Sequence, residues 1–188
     1  REQFALDAEL ARVLTRPNGG ALPRSLAGQV YAAEVADQFV GLLIVDGELQ
    51  AVLQPGYHAY WKFNRSIVVE QLDTRVQATE VNGQEILTRD KVSLRVNLVA
   101  QFRISDAVKA RTELRNPLDW LYRELQFGLR QVIGTRTLDG LLGAKGELDQ
   151  AVFAAVAGKA KGYGLSIENV GIKDVILPGE MRDILNQV

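Results

Sequence analysis

The chain has 188 residues, with 22 basic against 23 acidic side chains for a formal charge of −1, and it has no cysteine. A content of 47% hydrophobic and 24% charged residues suits a soluble domain that buries its own core without a disulfide or metal. These counts exclude thiolate zinc sites, cysteine nucleophiles and thiol lipidation, and they argue against a broad electrostatic grip on nucleic acid.

Residues 2–15 carry a helical pattern, with Leu6, Leu10, Val13 and Leu14 on one face, and Arg16-Pro17-Asn18-Gly19-Gly20 ends it. The chain opens on Arg1 with no signal-peptide pattern and reads as a piece of a longer protein. From Gln29 the pattern is of strands. Phe39 to Val45 is the longest strongly apolar run, well short of the roughly 20 residues that span a bilayer. Asp46-Gly47 between two apolar runs predicts a hairpin, because a type I′ turn needs positive φ at both central positions. Gln54-Pro55-Gly56 closes the second strand, a third covers Ile67 to Val76, and Asn82-Gly83 is a second turn signal.

The clearest strand follows. Val92, Leu94, Val96, Leu98, Ala100, Phe102 and Ile104 alternate with mostly polar residues, so one face is dry and the other wet. A helix then begins at Asn116-Pro117, cap and first position, and carries a stripe of Leu118, Leu121, Tyr122, Leu125, Leu129, Val132 and Ile133. Thr137 to Leu142 reads as a short helix and Glu147 to Lys161 as a longer one, stopped at Gly162. Ser166 to Ile176 is a strand with a bulge near Gly171. Met181, Ile184, Leu185 and Val188 begin another amphipathic helix. Strands clustered before helices give an α+β fold with a mainly antiparallel sheet.

The residues offer little catalytic chemistry. His58 is the only histidine, and a loop or surface role among its aromatic neighbours outweighs that of a base. No Gly-x-Ser-x-Gly elbow is present, and Gly162-Tyr163-Gly164 precedes a strand instead of opening a helix as a dinucleotide loop does. The sharpest enzymatic alternative is a Ser/Lys peptidase using Lys91 and Ser93, two apart on one strand face. That face is the wet one, and a lysine base must be desolvated. Glu70, Asp73, Glu80, Glu85 and Asp90 are scattered among basic neighbours and form no catalytic pair. Catalytic, cofactor-binding and metal-ligating residues are therefore none. Tyr57, Tyr60, Trp61 and Phe63, with Lys62 and Arg65, form an aromatic group that suits a membrane interface or a satellite core. Its basic residues are too few for nucleic acid.

Three blocks carry a resemblance. Gln84-Glu85-Ile86-Leu87-Thr88-Arg89-Asp90-Lys91-Val92 with the long strand to Ile104, Leu125 to Gly134 with Leu141-Leu142, and Tyr163-Gly164-Leu165 leading to Val170 through Pro178 stand in order. Together they resemble the slipin/stomatin branch of the SPFH (band 7, prohibitin-homology) domains. The resemblance covers about Asp37 to Val188. Tyr163 stands where relatives carry an indole, Lys145 where many carry arginine, and the lipidated cysteines of some stomatins have no counterpart.

The resemblance implies residues 1–36 as a helix-and-loop appendage, 37–178 as the SPFH/band 7 core and 179–188 as the start of a C-terminal coiled-coil region. It implies a non-enzymatic homo-oligomeric scaffold on a lipid membrane, at the cytoplasmic face of a bacterial inner membrane. Such a scaffold organises microdomains and regulates an NfeD-type membrane protein or membrane protease. Met181, Ile184, Leu185 and Val188 are then candidates for self-association, and Tyr57, Tyr60, Trp61 and Phe63 for the membrane-proximal surface.

Overall fold

The computed structural model describes residues 5–7, 11–12, 28–143 and 145–177. The expected helix at Met181, Ile184, Leu185 and Val188, and most of the expected N-terminal helix, lie outside the described residues. Among the described residues the order is seven strands, four helices and a closing strand. This is the α+β arrangement expected. The chain divides into two compact units, Arg1–Arg75 and Val76–Val188.

The first unit is built from strands. β1 (Val30–Val35) pairs antiparallel with β4 (Gly56–Trp61), so residues 30–35 belong to a ladder with the aromatic segment. β2 (Phe39–Val45) lies between β3 (Glu48–Leu53) and β5 (Ile67–Asp73), both antiparallel to it. The Asp46-Gly47 hairpin forms as expected, with φ of 52° and 85° at the two central residues. Asp46 does a second job: its carboxylate accepts from the Ser66 amide at 2.9 Å, and its own amide donates to the Ser66 carbonyl at 2.8 Å. That bracket ties the β2–β3 turn to the connection between β4 and β5. Val35, Leu43, Leu53, Tyr60 and Ile67 form the unit's main core.

The second unit is a three-stranded antiparallel sheet in the order β6 (Gln77–Leu87), β7 (Ser93–Ile104), β8 (Leu165–Ile176). The alternation read along β7 is realised: Leu94, Val96, Leu98, Ala100 and Phe102 are buried. Short α1 (Ala107–Glu113) follows β7, and then come α2 (Pro117–Gly134), α3 (Leu138–Leu142) and α4 (Lys145–Gly162). Asn116 caps α2 by accepting from the amides of Leu118 and Asp119, with Pro117 in the first turn. The dry sheet face packs on Leu121, Leu125, Leu129 and Ile133 of α2 and on Leu148, Val152 and Val156 of α4. Leu118, at the first turn of the stripe, is exposed instead.

One local reading changes, one gains detail, and one helix has no counterpart in the sequence pattern. Asn82-Gly83 is a bulge inside β6: Val81 pairs with Leu98 and Gln84 with Val96, so two residues face Asn97 alone. The Gly83 amide donates to Asn97 Oδ1 at 2.7 Å. The irregularities of β8 fall at Glu168 and Lys173, on either side of Gly171. Helix α1 carries no periodic stripe long enough to read, although Asp106 caps it by accepting from the Lys109 amide.

The Thr88-Arg89-Asp90-Lys91 segment is a folded staple. Thr88 is a buried polar side chain, its hydroxyl donating to Asp90 Oδ1 at 2.6 Å and accepting from the Val92 amide at 3.0 Å. Asp90 in turn accepts from the Leu138 amide at 3.2 Å, which caps the start of α3 from 48 residues away. The Thr88 hydroxyl, with the Leu138 amide, holds the Asp90 carboxyl below the ordinary aspartate range. A carboxyl depressed in the folded state stabilises above its unfolded value, and that contribution is lost as pH falls through the folded value. Asp90→Asn is therefore expected to lower stability at neutral pH and to flatten the acid limb of a stability-versus-pH curve. An unchanged acid limb in urea titrations would show that the staple adds nothing.

Candidate functional site

The aromatic segment is a strand, not a loop. β4 sends successive side chains to opposite faces, and this separates the four aromatics. Tyr60 points into the main core of the first unit and is 8% exposed; burial raises its phenol above the usual value. Tyr57 and Trp61 pack from the other face on a smaller cluster of Ala11, Val30 and Ala59. His58 is half-buried, its Nε2 donating to the Gln54 carbonyl at 2.8 Å. Only Trp61 and Phe63 stand at the outer end, with ring centroids 6.2 Å apart.

The turn that presents them is tightly made. The Lys62 amide donates to the Gln29 carbonyl at 2.7 Å, and the Arg65 amide to the Lys62 carbonyl at 2.9 Å. Phe63 and Asn64 both lie in the left-handed region, at φ 45° and 61°. That conformation suits asparagine but is uncommon for a bulky aromatic residue. Phe63 is nevertheless 58% exposed. The result is an exposed phenylalanine beside a half-buried tryptophan, flanked by Lys62 and Arg65.

The Lys91–Ser93 pair fares differently. Lys91 lies outside β7, in a left-handed conformation at φ 68°, and its amide donates to the Thr88 carbonyl at 3.0 Å. Both side chains are exposed, so the desolvation a lysine base needs is missing. Three of the scattered carboxylates are used in ion pairs, Asp73 with Arg75, Glu85 with Arg95 at 3.2 Å and Glu80 with Lys173 at 3.2 Å, and Glu168 pairs likewise with Arg103 at 2.8 Å on the wet face of β6–β7–β8. The partner arginine or lysine holds Asp73, Glu80 and Glu168 below the ordinary carboxylate range. A general acid needs the opposite shift. Among the described residues no group of three or more acidic or histidine side chains is placed to hold a metal ion. No described helix is long and apolar enough to cross a membrane.

Comparison with known proteins places this geometry. The family model "SPFH domain / Band 7 family" matches residues 33–188. A stomatin homolog of Pyrococcus horikoshii is 36% identical over 120 residues, covering 64% of this chain and 44% of its own length. An uncharacterized protein of Archaeoglobus fulgidus is 32% identical over 148 residues, 77% of this chain and 57% of its own. Stomatin-4 of Caenorhabditis elegans is 33% identical over 113 residues, 60% and 40% respectively. The chain thus spans about half the length of these relatives. With the match running through both units, from β1 to the end, this chain belongs to the SPFH/Band 7 family and is stomatin-like.

Proposed function

We propose that this chain is the SPFH domain of a membrane-associated, homo-oligomeric scaffold without enzymatic activity. It organises membrane microdomains and regulates a partner such as an NfeD-type membrane protein or a membrane protease, at the cytoplasmic face of a bacterial inner membrane. Self-association runs through the segment holding Met181, Ile184, Leu185 and Val188.

The observation that carries the membrane part is the turn after β4. It exposes Phe63 in a costly backbone conformation next to Trp61, between two cations. Strained, exposed aromatic residues are retained where they meet something. Aromatic rings with flanking cations suit the headgroup region of an anionic bilayer. Tyr60 has no part in that surface because it belongs to the core, and Tyr57 supports Trp61 from behind.

Flotation with vesicles of equal parts phosphatidylglycerol and phosphatidylcholine tests this. The unaltered chain is expected to float, and Trp61→Ala with Phe63→Ser to weaken binding by about tenfold, some 1.4 kcal/mol. Pure phosphatidylcholine vesicles are expected to bind less, since the Lys62 and Arg65 contribution needs anionic lipid. Equal flotation of the double variant would remove Trp61 and Phe63 from the membrane surface.

A further inference from the structure

The core of the first unit is open on one side. A cavity of about 230 Å³ enters it, floored by Leu43, Tyr60 and Ile67, which are all buried, and walled by Val45, Ala51 and Trp61. Its remaining lining is Gln50 and Arg65, both exposed, so apart from the Tyr60 hydroxyl the polar side chains stand at the mouth. The floor is three of the five residues of the main core. The cavity is thus a gap in the packing of a small β unit, reached from the end of β4 that carries Trp61.

Size and polarity limit what fits. The volume lies below the about 300–1,000 Å³ of sites for drug-sized ligands. A four-ring sterol or a whole diacyl phospholipid is too large. An unbranched hydrocarbon chain matches a slot whose floor and walls are apolar except for the Tyr60 hydroxyl. At the mouth, a guanidinium matches an anionic oxygen in bidentate geometry. Arg65 and Trp61 also belong to the turn proposed to meet the bilayer, so a chain entering here comes from that side.

We propose that this cavity takes one acyl chain of an anionic phospholipid, drawn from the bilayer, with its phosphate held at Arg65. The proposal rests on the membrane reading of the Trp61–Phe63 turn and adds to it a ligand and an enclosed site. Surface contact and chain capture are then separate events on neighbouring residues.

The test uses lysophosphatidylglycerol with a brominated chain, held below its micelle concentration, and reads Trp61 fluorescence in a Trp120→Phe chain. Saturable quenching is expected. Ala51→Phe, which fills the cavity, is expected to abolish it, and Phe63→Ser to leave it in place. Arg65→Gln is expected to weaken the phosphatidylglycerol probe and to leave a brominated monoacylglycerol, which carries no phosphate, unchanged. Should Ala51→Phe fail to fold, a chain-length series on the unaltered protein replaces it. Affinity should then rise about fourfold per methylene, from about 0.8 kcal/mol per buried CH₂, and stop rising once the slot is full. Quenching that survives in folded Ala51→Phe, or a rise with no plateau, overturns the proposal. Tighter binding of the free fatty acid than of the phospholipid overturns the lipid assignment. Flotation without probe binding removes the cavity alone, whereas saturable probe binding without flotation removes the surface reading and keeps the cavity.

Discussion

Replacing Gly164 with alanine is expected to destabilise the second unit by about 3 kcal/mol or more, the range reached when a backbone site cannot accept a side chain. Gly164 follows the end of α4 at φ 79°, a left-handed conformation that costs an L residue roughly 1–2 kcal/mol. The larger difficulty is space. A Cβ here would sit 2.3 Å from the Asp106 carbonyl oxygen and 3.1 Å from the Ala110 amide nitrogen. Both are backbone atoms and cannot rotate away. The Gly164 carbonyl also accepts from the amides of Ser105 and Asp106, at 2.9 and 3.1 Å. Any shift that relieves the clash therefore loosens the cap of α1 and the start of β8 together. Gly158, inside α4 with open space around its Cα, gives the opposite expectation: Gly158→Ala should stabilise by about 0.5–1 kcal/mol. Urea unfolding followed by Trp120 fluorescence reads both, because that ring packs at a 60° tilt against Tyr163, centroids 4.8 Å apart, next to Gly164. Similar midpoints for the two variants would show that the α4–β8 junction is soft.

Truncating Phe102 to alanine should cost about 3–5 kcal/mol, the usual range for removing a buried phenylalanine. Phe102 is 1% exposed on central strand β7 and is the largest fully buried side chain described. Its strand has partners on both sides, which hold the walls of the resulting gap in place. Phe127, on α2, is 62% exposed, and Phe127→Ala should move stability by less than about 0.5 kcal/mol. If the two substitutions shift the urea midpoint alike, the core of the second unit does not lie where Phe102 places it.

What the sequence made legible follows from how each element is solvated. β7 is wet on one face, so its period of two is plain from Val92 to Ile104. Helix α2 announces itself with Asn116-Pro117 and a stripe that returns every turn. β4 gave no such signal. It is covered on both faces, Tyr60 towards one cluster and Tyr57 and Trp61 towards another, so every position tolerates an aromatic or apolar residue. The aromatic group therefore reads as a single patch, and its division into a core tyrosine, a half-buried tryptophan and an exposed phenylalanine needs the strand's direction. The Asp90 staple joins residues 48 apart, beyond the reach of local patterning. Asn82-Gly83 carries the same turn chemistry whether it ends a strand or bulges one, and only the pairing partner decides.

The bulges have a consequence for how copies of this chain meet. β6 and β8 are the two outer strands of the second unit's sheet, and both are irregular, β6 opposite Asn97 and β8 at Glu168 and Lys173. A strand from another molecule needs an unbroken row of amides and carbonyls to zip onto an edge, and a bulge interrupts that row and twists it away. Open-ended cross-β stacking is thereby discouraged along this sheet. Copies brought to high local concentration on a surface can crowd together without templating one another into fibrils.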